Sequence, residues 1–266
     1  IGPIIYNKYT ISSLSCLIIV GVILFMHNAP TASYLFQYDQ HNYRYLIYVY
    51  LLLPFTISLH EFSHGMTAKS IGCEVGGFGV GWYWFGPIAF CDTTDTWIAS
   101  PKDRIKVNIA GIFSDLCIAG VASLIAHFLM GSPTGVFFWF LAATFYVNCI
   151  VNMGTFIELD GYYILSDLLD EPNLRRNAFL WIDKIPKQIL RPALLLENYK
   201  NIIYWVVTLL YLLLVVIVYI QFQNRVIIYA FPEVISNNKS YIQLIIPCFL
   251  IITIFLSARA DIKKYR

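Results

Sequence analysis

Residues 45–68 read YLIYVYLLLPFTISLHEFSHGMTA. The run carries no charged side chain until His60-Glu61-Phe62-Ser63-His64. A helix needs about 20 mostly apolar residues to cross the hydrocarbon core of a bilayer. The stretch is long enough, and its uncharged first two thirds suit lipid. Five further runs have the same character: 11–26, 105–130, 136–157, 202–222 and 241–256. The third and fourth of the six are joined by Gly131-Ser132-Pro133-Thr134-Gly135, a tight-turn signal. The expected fold is an all-α polytopic membrane protein of about six transmembrane helices. A membrane-associated β-hairpin or loop is expected between the second and third.

Composition agrees. Of 266 residues, 58% are apolar and 13% are charged. Soluble domains run near 45–50% and about 25%. These figures point away from a soluble globular enzyme, and they exclude a disordered chain. The aromatic share, 17%, suits interfacial Tyr and Trp. A net charge of +2 offers no footprint for nucleic acid.

Where the charges sit sets the topology. With both ends on one side, the segments on that side hold 15 of the 18 Lys and Arg. The opposite side holds Arg44, Arg225 and Lys239. The positive-inside rule then makes both termini cytoplasmic in a multi-pass integral membrane protein, with 70–104 and 158–201 as inside segments. Chain residues are expected before Ile1, since the sequence starts without Met. The six cysteines form no CxxC pair and read as reduced apolar residues. His27, His41 and His127 lack ligand spacing and read as interfacial on the outer side. Residues 171–200 mix basic with apolar side chains, as in a segment lying on the cytoplasmic leaflet against lipid.

His60-Glu61-Phe62-Ser63-His64 is H-E-x-x-H. Residues i and i+4 share a helix face, so His60 and His64 can offer two imidazole nitrogens to one Zn²⁺. Glu61 stands beside them to handle the proton of a metal-bound water. A carboxylate and two histidines in a membrane span are costly and mark a functional site. A catalytic zinc takes a third protein ligand. The fourth span ends near Glu158 and Asp160, and periodicity does not choose between them. Gly161 permits a close backbone approach there. Asp115 is a further acid inside a span. It either lines the cavity or hydrogen-bonds a neighbouring helix.

The sequence resembles the site-2 protease family of intramembrane zinc metalloproteases, closest to a bacterial peptide zinc metalloprotease branch. Four stretches carry the resemblance, within about 51–178. They are His60 to Gly65, Cys91-Asp92-Thr93-Thr94-Asp95-Thr96-Trp97, Asn108-Ile109-Ala110-Gly111-Ile112, and Leu159-Asp160-Gly161-Tyr162-Tyr163 continuing through Asp167 to Pro172-Asn173-Leu174. It departs from many relatives in lacking proline before Asp160 and after Gly111, and in carrying Asp115 near a position where they have Asn.

The resemblance implies His60, His64 and Asp160 as ligands of one Zn²⁺ per chain, with Glu61 as general base. Asn152 would help to hold substrate or the developing oxyanion. Segment 76–90, rich in glycine and aromatics, would be the hairpin that receives an extended substrate by strand addition. Residues 1–266 would form a single membrane-embedded metalloprotease domain, with its core at about 45–178 and accessory helices at 1–30 and 201–258. The implied function is intramembrane cleavage of a membrane-associated or membrane-spanning peptide near the cytoplasmic face, in maturation of a ribosomally made peptide. The alternatives are site-2-type processing of a transmembrane regulatory protein and a non-catalytic, peptide-holding partner of an exporter. Expected partners are the peptide or transmembrane substrate, lipid, and a peptide exporter or modifying enzyme; the expected location is a bacterial plasma membrane. Asp92 and Asp95 match the branch pattern, and loop capping is their plain reading.

Overall fold

The computed structural model describes residues 7–39, 43–83, 86–182 and 197–222. The sixth expected span, 241–256, His41 and Cys248 lie outside them, as do 183–196 of the expected leaflet segment. The described chain is mostly helical, with one two-stranded sheet. It divides into two compact units, one through Asn152 and one from Met153.

The first unit opens with α1, Lys8–Tyr38, capped by the Asn7 side chain, which accepts from the Tyr9 N–H at 3.1 Å. α2 spans Tyr43–Ser70 and contains Pro54. Polar side chains along it are satisfied inside the helix. Ser58, Ser63 and Thr67 each donate to the carbonyl four residues back, at 2.7–2.9 Å. This is how hydroxyls are carried in an apolar surrounding. Strands β1, Gly77–Tyr83, and β2, Gly86–Asp92, follow as an antiparallel hairpin pairing Gly77 with Asp92 and Tyr83 with Gly86. β2 packs along α2. A short 3₁₀ turn, Thr94–Ile98, leads to α3, Pro101–Phe128. Ser100 caps α3 and Pro101 occupies its first turn. α4 is Pro133–Asn152.

α3 is the hub, packing on α1, α2 and α4. Aromatic rings tie the helices of the unit together. Phe25 stacks on Trp139 at 4.8 Å, and the Trp139 indole N–H donates to the Phe25 carbonyl at 3.1 Å. Phe36, Tyr45 and Phe140 form a second buried aromatic group.

The second unit holds α5, Asp160–Leu168, α6, Leu174–Ile182, and α7, Tyr199–Phe222. Its core is Tyr162, Leu174, Ala178 and Tyr204, all buried. The Trp205 indole donates to the Ala178 carbonyl at 3.2 Å. Leu174 and Ala178 of α6 pack against α7.

Four helices among the described residues are long and apolar enough to cross a membrane: Lys8–Phe36, Pro101–Phe128, Pro133–Asn152 and Tyr199–Gln221. They match four of the six expected spans. α2 has the length, 28 residues, but its last third carries His60, Glu61, His64 and Lys69 and lowers its apolar character. α4 stops at Asn152, five residues short of the expected 157, because a run of turns from Thr155 replaces helix before Asp160. The five described cysteines are free thiols.

Candidate metal centre

His60 and His64 sit one turn apart on α2 and are 3% and 7% exposed. Their imidazole planes are nearly perpendicular, with the two Nε2 atoms 3.1 Å apart. The other nitrogen of each ring is anchored on α3. His64 Nδ1 lies 2.7 Å from the Val107 carbonyl oxygen. A carbonyl only accepts, so this nitrogen carries the hydrogen. His60 Nδ1 lies 2.8 Å from Asp115 Oδ2, which as a carboxylate also accepts. With hydrogens on both Nδ1 atoms, both Nε2 lone pairs point into one small space.

Two lone pairs facing at 3.1 Å repel unless something positive lies between them. Zinc bonds imidazole nitrogen at about 2.0–2.1 Å, and two such ligands at a tetrahedral angle stand about 3.3–3.4 Å apart. The observed separation is close to that figure.

The backbone of α3 also leaves room. A Cβ on Gly111 would stand 2.5 Å from His60 Nε2 and 2.6 Å from His64 Nε2. Only glycine keeps this space open. Val107, Gly111 and Asp115 follow at intervals of four on α3, so a single helix stripe supplies an acceptor, a gap and a second acceptor.

Glu61 completes the group. One ligand atom from each of His60, Glu61 and His64 fits within 4.8 Å of the others. Glu61 Oε2 accepts the Cys91 backbone N–H of β2 at 3.0 Å. The hairpin thus holds the carboxylate of this α2 residue. Burial, then Glu61 and then Asp92, push the Cys91 thiol up to about 11. Cys91 is therefore a neutral thiol at neutral pH.

Comparison with protein-family models, curated proteins and solved structures found no match. The chain's own geometry carries the reading of this site.

The remaining expected residues fall as follows. Asn152 ends α4, its amide donating to the Asn148 carbonyl at 3.1 Å. Asp160 is the first residue of α5 in the second unit, half-buried. A Cβ on Gly161 would collide with the Met153 backbone, so glycine is needed directly after that acid. Glu158 is half exposed and paired with Arg175 at 3.3 Å. Asp92 holds the loop: its Oδ1 accepts from the Thr94 N–H and hydroxyl, which keep its carboxyl below the usual range. Asp95 accepts from the Glu74 N–H at 2.7 Å. Both aspartates are loop caps. Asp115 hydrogen-bonds two neighbouring helices, through His60 on α2 and Asn148 on α4. The role of Asn148 went unread in the sequence; the four-residue step from Asn148 to Asn152 was its one signal.

Proposed function

We propose that the chain is an intramembrane zinc endopeptidase of the site-2 protease kind. It cuts a membrane-associated or membrane-spanning peptide near the cytoplasmic face, in the maturation of a ribosomally made peptide. One observation carries the reading. Two buried imidazoles have both Nδ1 atoms anchored and both Nε2 atoms aimed into a gap that Gly111 keeps open, with Glu61 beside it.

His60 and His64 would hold the ion through Nε2. Asp160 would be the third protein ligand, as the family resemblance implies. A zinc ion so held supplies a Lewis acid and brings the pKa of water to about 7. Glu61 takes the proton of the attacking water on its carboxylate and returns it to the leaving amine nitrogen. The Cys91 N–H keeps Glu61 Oε2 oriented. Burial of His60 and His64 keeps bulk water from the ring nitrogens. Asn152, at the foot of α4, would hold the substrate carbonyl. With both termini cytoplasmic, as the distribution of Lys and Arg supports, α2 would bring His60 and Glu61 to the inner half of the bilayer.

Glu61→Gln tests the proposal. Wild type and variant are assayed in detergent micelles against a library of quenched fluorogenic peptides, with zinc measured by mass spectrometry. The variant keeps its zinc and loses at least about 100-fold in cleavage, the range of a lost general base. Cleavage unchanged in Glu61→Gln contradicts the assigned base, and a wild type without cleavage or zinc contradicts the function.

A further inference from the structure

We infer that Asp115 is a positioning residue for the metal, fixing the His60 ring so that Nε2 faces the ion, and that Asn148 in turn fixes Asp115. The inference rests on the metal reading above. Asp115 is fully buried in α3. Its Oδ2 accepts from two directions, from His60 Nδ1 at 2.8 Å and from the Asn148 amide at 2.7 Å. Its Oδ1 has no hydrogen-bond partner among the described residues.

A carboxylate used merely to tie helices together is a poor choice at this position. A buried charge with one oxygen unpaired is costly, and an amide or hydroxyl would tie the same helices without it. Neither hydrogen-bond partner of Asp115 is a lysine or arginine: one is an imidazole and the other an amide. The charge makes sense when a cation lies on the far side of the imidazole. Carboxylate, histidine and metal then form one chain, in which the acid fixes the ring tautomer and raises the basicity of the ligating nitrogen. Asn148 keeps Oδ2, rather than Oδ1, turned to the ring.

The two ligands are held unequally. His64 leans on the neutral Val107 carbonyl, and His60 on a carboxylate. The centre therefore depends on Asp115 more than on any single contact of His64.

The test uses the full chain in detergent micelles. Zinc affinity is read by competition with a chromophoric chelator, and site geometry from the visible absorption of the cobalt(II)-loaded protein. The variants are Asp115→Asn and Asn148→Ala, each with its thermal midpoint. Asp115→Asn is expected to weaken zinc about 10–100-fold and to shift the cobalt bands. Asn148→Ala is expected to do the same to a lesser degree, with a lowered thermal midpoint because a buried carboxylate loses a partner. Zinc affinity and cobalt spectrum unchanged in Asp115→Asn overturn this inference and leave the metal reading standing. If Asp115→Asn does not fold, the same two readings on Asn148→Ala decide, and no change there overturns it. A wild type that takes up neither metal overturns the metal reading, and this inference with it.

Discussion

Two histidine pairs bring their rings together among the described residues of the first unit, and they are held differently. His27 and His127 bring their rings within 5.8 Å, across α1 and α3. His27 is exposed, and His127 Nδ1 meets the Asn28 side chain, at 3.2 Å. His60 and His64 are buried and nearly perpendicular, with each Nδ1 anchored on α3 and the Nε2 atoms 3.1 Å apart. Nearness alone does not make a ligand pair. What distinguishes the second pair is that each ring has lost its freedom to choose a tautomer, and that the backbone opposite is glycine.

The comparison can be broken at either end. The larger effect is expected at Gly111. In Gly111→Ala the added methyl would stand 2.5–2.6 Å from both Nε2 atoms, so the rings or α3 must shift. Zinc affinity by chelator competition should fall at least about tenfold, as when ligand-orienting contacts are lost. Unchanged affinity would mean that the gap is packing space and not an ion site. The smaller effect is expected at the other pair. Asn28 Nδ2 is buried without a partner among the described residues. Replacing both members together, Asn28→Leu with His127→Phe, removes a polar contact from both sides and should change stability by less than about 1 kcal/mol. Zinc binding should not change. A loss of zinc there would erase the distinction between the pairs.

Much of this was legible in the sequence, for reasons that separate the two levels. The expected spans 105–130 and 202–222 fall on α3 and α7, because a mostly apolar run of that length has few other uses, and 45–68 falls on the helix α2. The expected hairpin at 76–90 is β1 and β2, spanning Gly77–Tyr83 and Gly86–Asp92. The first span was read short, at 11–26, since His27, Asn28 and Pro30 look like an ending. The helix runs on to Tyr38 with Pro30 inside it, and Asn28 finds His127 on α3.

In the site, H-E-x-x-H was visible because its ligands are four residues apart on one helix. Asp115 was visible only as an acid in an apolar run. Its partner His60 is 55 positions away, and hydropathy carries no information on the register between helices. The pattern Val107, Gly111, Asp115 held that register in its four-residue step, but it becomes readable only once α3 is known to face α2.

The most direct measurement is the zinc content of protein purified in detergent without chelators, by mass spectrometry, for the wild type, His60→Ala, His64→Ala and His27→Ala. The account predicts about one zinc per chain in the wild type and in His27→Ala, and loss of bound zinc in His60→Ala and His64→Ala. A wild type that stays free of zinc after zinc is supplied, or a His60→Ala that retains it fully, would contradict the account.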